Sequence, residues 1–239
     1  MDKFERIEQK YVLDKDTYSK LFDKIKDHLR KDKYYKSTIC NIYLDNNNEL
    51  IINSLEKPTY KEKVRLRSYG VPELDDMVFL ELKKKYNGVV YKRRVEMKLK
   101  DYYSYMTTGI KPFDSQIMNE IDYVIKKNHL TSQIFIAYDR ISYFDKDNKD
   151  FRITFDTNLR SRYDELKLEL GDSGFLYSKD FLCIMELKIP NAIPMWFTKI
   201  LSELKIYPES FSKYGSIYKK ICSKEKKEIN KKEYNKTVN

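Results

Sequence analysis

Short stretches of this chain alternate charged and apolar residues, and most of the charges are cations. They are Arg6-Glu8-Lys10, Lys63-Arg65-Arg67, Glu81-Lys83-Lys85, Lys92-Arg94, Arg152 with Asp156, and Glu186-Lys188. Ile7, Val64, Leu66, Leu80, Leu82, Val95, Ile153, Phe155, Met185 and Leu187 fill the places between them. A period of two puts residues i and i+2 on one face of a β-strand. The chain therefore builds a sheet with one aliphatic face and one face crowded with cations and a few carboxylates.

Alternating strands commonly turn their charged face to water. Here the intervening segments read as amphipathic helices that need an apolar surface to dock on, and the aliphatic face is the one available. Helices outside force the charges inward. Unpaired buried charges cost several kcal/mol each, so such an interior must hold water, partner carboxylates or an anionic ligand. Arg65 and Arg67, two apart on one strand, can each donate forked hydrogen bonds to phosphates. Lys10, Lys83, Lys92, Arg94, Arg140, Arg152 and Lys188 add further cations. Glu186 is the favoured carboxylate for a divalent ion bridging phosphates, with Glu8 and Glu81 either further ligands or salt-bridge partners.

Composition narrows the classes. With 47 Lys+Arg against 37 Asp+Glu the formal charge is +10, which favours an acidic partner. Two histidines exclude a multi-His metal site, so any ion would be Mg²⁺ or Mn²⁺ held by carboxylates and by the substrate's own oxygens. Three cysteines without C-x-x-C spacing argue against a disulfide framework and against zinc. No run of about 18 apolar residues exists to span a membrane, and the first residues show no apolar signal region. A cytoplasmic protein is expected. No KH-type glycine loop, RNP-type aromatic pair or helix-turn-helix pattern stands out, so nucleic acid is not the expected partner.

The elements follow. Phe4 to Leu13 reads as a strand, and a helix capped by Asp14 or Asp16 carries apolar positions from Tyr18 to Leu29. Thr38 to Leu44 is a strand, and Glu49 to about Glu56 a short helix stopped by Pro58. Tyr60–Tyr69, Met77–Tyr86 and Val89–Lys98 form an antiparallel meander, its second turn marked by Asn87-Gly88. Asp101–Met106 and Ser115–Asn128 read as helices. Gln133–Phe144, Phe151–Asp156 with a continuation over Leu159–Leu170, and Phe181–Lys188 are strands, and Met195–Leu204 is a last helix. The expected α+β fold is a closed eight-stranded antiparallel β-barrel with helices packed outside, because closure removes edge strands. It is expected to occupy residues 1–222, and the lysine-rich, apolar-poor residues 223–239 read as a disordered basic tail.

The motifs R-x-E-x-K-Y (Arg6 to Tyr11), K-x-R-L-R-x-Y-G (Lys63 to Gly70), F-L-E-L-K (Phe79 to Lys83) and K-R-R (Lys92 to Arg94) occur in that order. Y-D-R (Tyr138 to Arg140), R-I-T-F-D (Arg152 to Asp156), M-E-L-K (Met185 to Lys188) and F-S-K-Y-G (Phe211 to Gly215) follow. Together they resemble the VTC domain, the polyphosphate polymerase branch of the triphosphate tunnel metalloenzymes (CYTH-like superfamily). The resemblance implies a triphosphate tunnel and metal-dependent transfer of the γ-phosphate of ATP to inorganic polyphosphate. By matching motif, Lys10, Arg65, Arg67, Lys83, Lys92, Arg94, Arg140, Arg152 and Lys188 would grip phosphates. Tyr138, Ser212 and Lys213 would contact phosphates near one mouth, and Glu186 would bind Mn²⁺ or Mg²⁺. Arg65, Arg67, Arg152 and Lys188 would stabilise the charge that develops in transfer. Triphosphatase and cyclase relatives begin E-x-E-x-K; Arg6 in the first place makes a two-metal triphosphatase, the main enzymatic alternative, less expected. A polyphosphate-binding module without catalysis is the alternative from another class. Eukaryotic VTC chains also carry an SPX domain and a membrane domain, so the expectation here is a stand-alone tunnel.

Overall fold

The computed structural model describes residues 7–87, 89–190 and 192–223. Arg6 and the basic tail beyond Ser223 lie outside the described residues. The elements run β1 (Ile7–Leu13), α1 (Lys15–Ile25), β2 (Leu29–Asp45), α2 (Glu49–Leu55), β3 (Tyr60–Tyr69), β4 (Met77–Tyr86) and β5 (Val89–Lys98). Then come α3 (Leu99–Thr108), α4 (Gln116–Lys127), β6 (Thr131–Asp145), β7 (Arg152–Arg162), β8 (Phe175–Leu176), β9 (Cys183–Ile189) and α5 (Met195–Glu203). A final helix, α6, occupies residues 213–223. All strands belong to one antiparallel sheet of order β1-β9-β7-β6-β2-β3-β4-β5, with β8 paired to β7.

Local signals explain most boundaries. The Asp14 side chain accepts from Thr17 N at 2.8 Å and caps α1, and Ser115 does the same for α4 through Met118 N. Asn87 takes a left-handed φ of 47°, as a tight hairpin between β4 and β5 requires. Several elements differ from expectation, among them α6, which follows the helix expected to be the last. α1 ends at Ile25 rather than running to Leu29, and β2 starts at Leu29, well before Thr38. There Leu29 and Tyr35 pack against the core and Tyr35 Oη meets Tyr143 Oη at 3.1 Å, so tertiary pairing with β6 extends a segment too charged to read as a strand. Beyond Arg162 the chain leaves the sheet. Arg162 is buried and donates to the carbonyls of Glu165, Lys167, Gly171 and Ser173, which gathers 163–174 into a loop.

The expected closed eight-stranded barrel is corrected. The sheet has nine strands and is open, because no ladder joins β1 to β5 among the described residues. β1 is seven residues long, and β5 presents Lys92, Arg93, Glu96 and Lys98 exposed, charges that discourage edge pairing. The sheet is nonetheless strongly curled. Glu8 on β1 reaches Lys83 on β4 at 3.3 Å, so side chains bridge where backbone does not.

Helices cover the convex face as the alternation predicts. Val64, Leu66, Leu80, Leu82 and Val95 pack under α3 and α4. Ile153, Phe155, Met185 and Leu187 pack under α1 and α5. The concave face is not charged throughout. At one end Ile39, Tyr43, Ile134, Ile136, Tyr138 and Ile184 are buried against Ile51 of α2 and Tyr214 and Ile217 of α6, which plugs that end with an apolar cluster. Gly215 is what lets α6 come this close: a Cβ there would lie 3.0 Å from Leu55 Cδ2.

Candidate functional site

The charged part of the concave face is built in rows set by strand register. Lys63 pairs with Lys83 and Lys83 with Lys92; Arg65 pairs with Glu81 and Glu81 with Arg94. Their odd–even partners Val64, Leu80 and Val95 lie in the outer core, so these charges share the inner face. Glu81 is buried at the centre. Arg65 donates to Oε2 through Nε at 2.8 Å and Nη2 at 2.7 Å. Arg94 Nε donates to Oε1 at 2.7 Å, Lys92 Nζ lies 3.0 Å from it, and Arg67 Nε lies 3.9 Å from Oε2. Burial alone would raise the Glu81 carboxyl, but Arg65, Arg67 and Lys92 hold it far below the usual carboxylate range. Four cations around one carboxylate leave this wall positive. Arg67 also donates from Nε to Asn41 Oδ1 at 2.9 Å and from Nη2 to Tyr138 Oη at 3.2 Å. Arg65 Nη1 donates to Tyr43 Oη at 3.2 Å, and against the effect of burial Arg65 and Arg67 bring that phenol down to about 8.

A second cluster joins β1, β6, β7, β9 and α6. Asp156 is buried and takes two bonds from Arg140, at 2.6 and 2.7 Å, and Lys213 Nζ at 2.6 Å. Glu186 accepts from Lys213 at 3.0 Å and Arg140 at 3.3 Å, and Lys10 lies at 3.5 Å. Burial opposes ionisation of Glu186, yet Lys213, Lys10 and Arg140 hold it well below the usual range. Lys213 is raised in turn, because Asp156 and Glu186 outweigh its burial. Ser212 precedes α6 and accepts from Gly215 N at 3.3 Å and from Lys63 Nζ at 3.0 Å. Burial pushes Lys63 down to about 8, helped by Lys61, Lys10 and Lys83.

The structure thus brings Lys10, Arg65, Arg67, Lys83, Lys92, Arg94, Arg140, Glu186, Lys188 and Lys213 to one concave face. Arg152 stands at its margin, half exposed, opposite Lys188 in the register and 3.5 Å from Asp32. Tyr138 is buried beneath Arg67 and Lys213, whose Nζ lies 4.4 Å over its ring, rather than at an open mouth. Sequence reasoning put Lys63 and Asp156 on the charged face without assigning either a contact, and did not single out Asn41 or Tyr43. Asn41 and Tyr43 share a face at i and i+2, and Lys63 and Asp156 sit inside the motifs already quoted, so the signal was present.

A divalent ion on this face would have to be held by its carboxylates. No group of three or more His, Cys, Asp or Glu that could hold an ion forms among the described residues. Glu81 is saturated by cations. Glu8 and Glu186, on adjacent strands β1 and β9, are near enough to repel one another, and among the described residues Glu8 pairs with Lys83 at 3.3 Å. Glu186 is itself engaged by Lys213, Arg140 and Lys10, so a divalent ion here would have to displace one of those cations, with Glu8, phosphate oxygens and water completing its shell.

Fold and site together are a curled antiparallel sheet with helices on its convex face and cations lining its concave one. The VTC domain model matches residues 5–222, and the chain belongs to the VTC domain family. No curated protein matches it significantly. Among solved structures, a Bacillus halodurans protein proposed to be an adenylate cyclase aligns with TM-score 0.54 at 12% identity, over 87% of this chain and 93% of its own. A Hippeastrum protein proposed to be an adenylyl cyclase, with dominant triphosphatase activity, aligns with TM-score 0.52 at 13% identity over 90% and 95%. These likenesses establish the fold. No helix is long and apolar enough to cross a membrane among the described residues.

Proposed function

We propose that the chain is a polyphosphate polymerase that transfers the γ-phosphate of ATP to the end of an inorganic polyphosphate. The observation that carries this is the arrangement of cations in successive rows, Lys63/Lys83/Lys92 then Arg65/Arg94 then Arg67, on one curled wall. Rows two residues apart are spaced by roughly 6.6 Å, which suits a linear polyanion lying along them more than a single compact anion.

Arg65 and Arg67 are held rigid by Glu81, Asn41, Tyr43 and Tyr138, so their donors are set before substrate arrives. They, with Arg140, Arg152 and Lys188, would bind the phosphates and stabilise charge on the transferred group and the departing ADP. Phosphoryl transfer asks mainly for alignment and charge compensation. A polyphosphate end is already ionised, so the attack needs no general base, consistent with a face that presents no histidine. Glu186 and Glu8 would hold Mn²⁺ or Mg²⁺, which when bound supplies charge neutralisation between phosphates.

The triphosphatase activity of the Hippeastrum protein makes water, in place of a chain end, the second reading. Purified protein incubated with ATP and Mn²⁺, with and without a short polyphosphate primer, separates them by gel and by counting ADP and phosphate. A ladder of chains with ADP and little phosphate is expected. Phosphate without polymer means hydrolysis, and no turnover with retained binding means a binding module. Glu186→Gln should abolish turnover in an enzyme and leave most of the affinity in a pure binder.

A further inference from the structure

Across β6, β7, β9 and β1 the register aligns Ser142, Thr154, Glu186 and Lys10 in one row. Ile153 and Phe155, on either side of Thr154, pack into the outer core, so Thr154 faces the concavity. It is 7% exposed, and its Oγ1 is buried without a hydrogen-bond partner among the described residues. Arg152 and Asp156 flank it on β7. Directly opposed side chains in such a sheet have Cβ atoms about 4.5–5.5 Å apart, which brings Thr154 beside Glu186 and its cations.

Packing does not account for this residue. Valine has the same shape and strand preference and would leave no polar atom unpaired. Buried hydroxyls are almost always hydrogen-bonded, and an exception calls for an explanation. A hydroxyl is both donor and acceptor; beside this one stand Ser142, another neutral hydroxyl, and Glu186, whose carboxylate is already engaged by Lys213 and Arg140, and Thr154 Oγ1 bonds to neither. What the row lacks is an oxygen-rich anion, which the cations attract and to which the hydroxyl can donate.

We propose that Thr154 Oγ1 donates a hydrogen bond to a non-bridging oxygen of a bound condensed phosphate, forming a phosphate subsite with Arg140 and Lys188 on the β6–β7–β9 wall. This deepens, and rests on, the phosphate-track reading above. The lysines and arginines fix charge, whereas a short, directional O–H···O bond selects which oxygen faces β7.

The test is titration calorimetry of the full chain with inorganic tripolyphosphate and, separately, ATP, for wild type, Thr154→Val and Thr154→Ser. Thr154→Val should bind at least about tenfold more weakly, about 1.4 kcal/mol, while unliganded it melts no lower than wild type. Thr154→Ser should restore most of the affinity. Weakening toward both ligands assigns the subsite to phosphates that ATP and the chain share; weakening toward tripolyphosphate alone assigns it to the chain. Wild-type affinity in Thr154→Val overturns the hydroxyl subsite while leaving the phosphate track standing. A wild-type chain that binds no tripolyphosphate overturns the track itself, and the subsite with it.

Discussion

Glu81→Gln is the perturbation that best separates two roles for a buried carboxylate, metal ligand and organiser of cations. Gln keeps the shape, so no cavity opens, and only the charge is lost. Arg65 and Arg67 are the partners that matter, since their side chains are 23% and 7% exposed; Lys92 and Arg94, a third to a half exposed, contribute little. Removing one member of a buried ion pair costs about 3–5 kcal/mol. At roughly 2–4 °C per kcal/mol for a domain of this size, the unliganded melting temperature should fall by about 6–20 °C. The pH dependence supplies a check of sign. The folded carboxyl lies below its unfolded value of about 4.3, so its stabilisation is complete above that pH and declines as pH falls toward the folded value. Wild type and variant should therefore begin to converge below about pH 4 and meet only as pH approaches the much lower folded value. Tripolyphosphate should raise the variant's melting temperature more than that of wild type, by replacing the missing charge. Scanning calorimetry with and without ligand gives all three readings. A Glu81→Gln protein that melts with wild type but no longer binds Mn²⁺ would refute the organiser role.

Other expectations follow from the same geometry. Arg162→Ala removes the bonds that gather residues 163–174, so limited proteolysis should cut there first while tripolyphosphate affinity stays within about threefold. Lys213→Met leaves Glu186 with fewer cations; its carboxyl should rise, and acid unfolding followed by circular dichroism should begin at a higher pH than in wild type. Anion affinity should weaken as pH rises through about 8, where Lys63 loses its proton and Tyr43 gains a negative charge. Calorimetric pH profiles of Lys63→Gln and Tyr43→Phe should each be flatter than wild type, and a wild-type profile level from pH 7 to 9 would contradict both assignments.

The meander β3–β5 was legible to the residue because its strands alternate cleanly and Asn87-Gly88 marks a turn by local chemistry. The first half of β2 was not. Leu29 continued the helical spacing of α1, and only pairing with β6, more than a hundred residues away, through Leu29–Lys31 and again from Lys36, holds this stretch extended around a bulge. Closure was misjudged for a related reason: alternation reports which face a residue takes, not whether two distant edges meet. The site divides the same way. That Arg65, Arg67 and Glu186 share a concave face follows from period two. That Lys213 bonds Asp156 and Glu186, or that Arg67 reaches Asn41 and Tyr138, depends on strand order and on where α6 lands. The apolar plug of Ile134, Ile136 and Ile184 also escaped notice, because its residues read as core strand on either face.

The central claim is that phosphate moves from ATP to a chain held along the cation rows. ATP labelled on the γ-phosphate, supplied with Mn²⁺ and a short unlabelled polyphosphate primer, tests it most directly through the fate of the label. Label should appear in primer-extended polymer that an exopolyphosphatase digests, in step with ADP formed, and should be lost in Arg65→Ala. Label recovered as free phosphate while the primer keeps its length would contradict it.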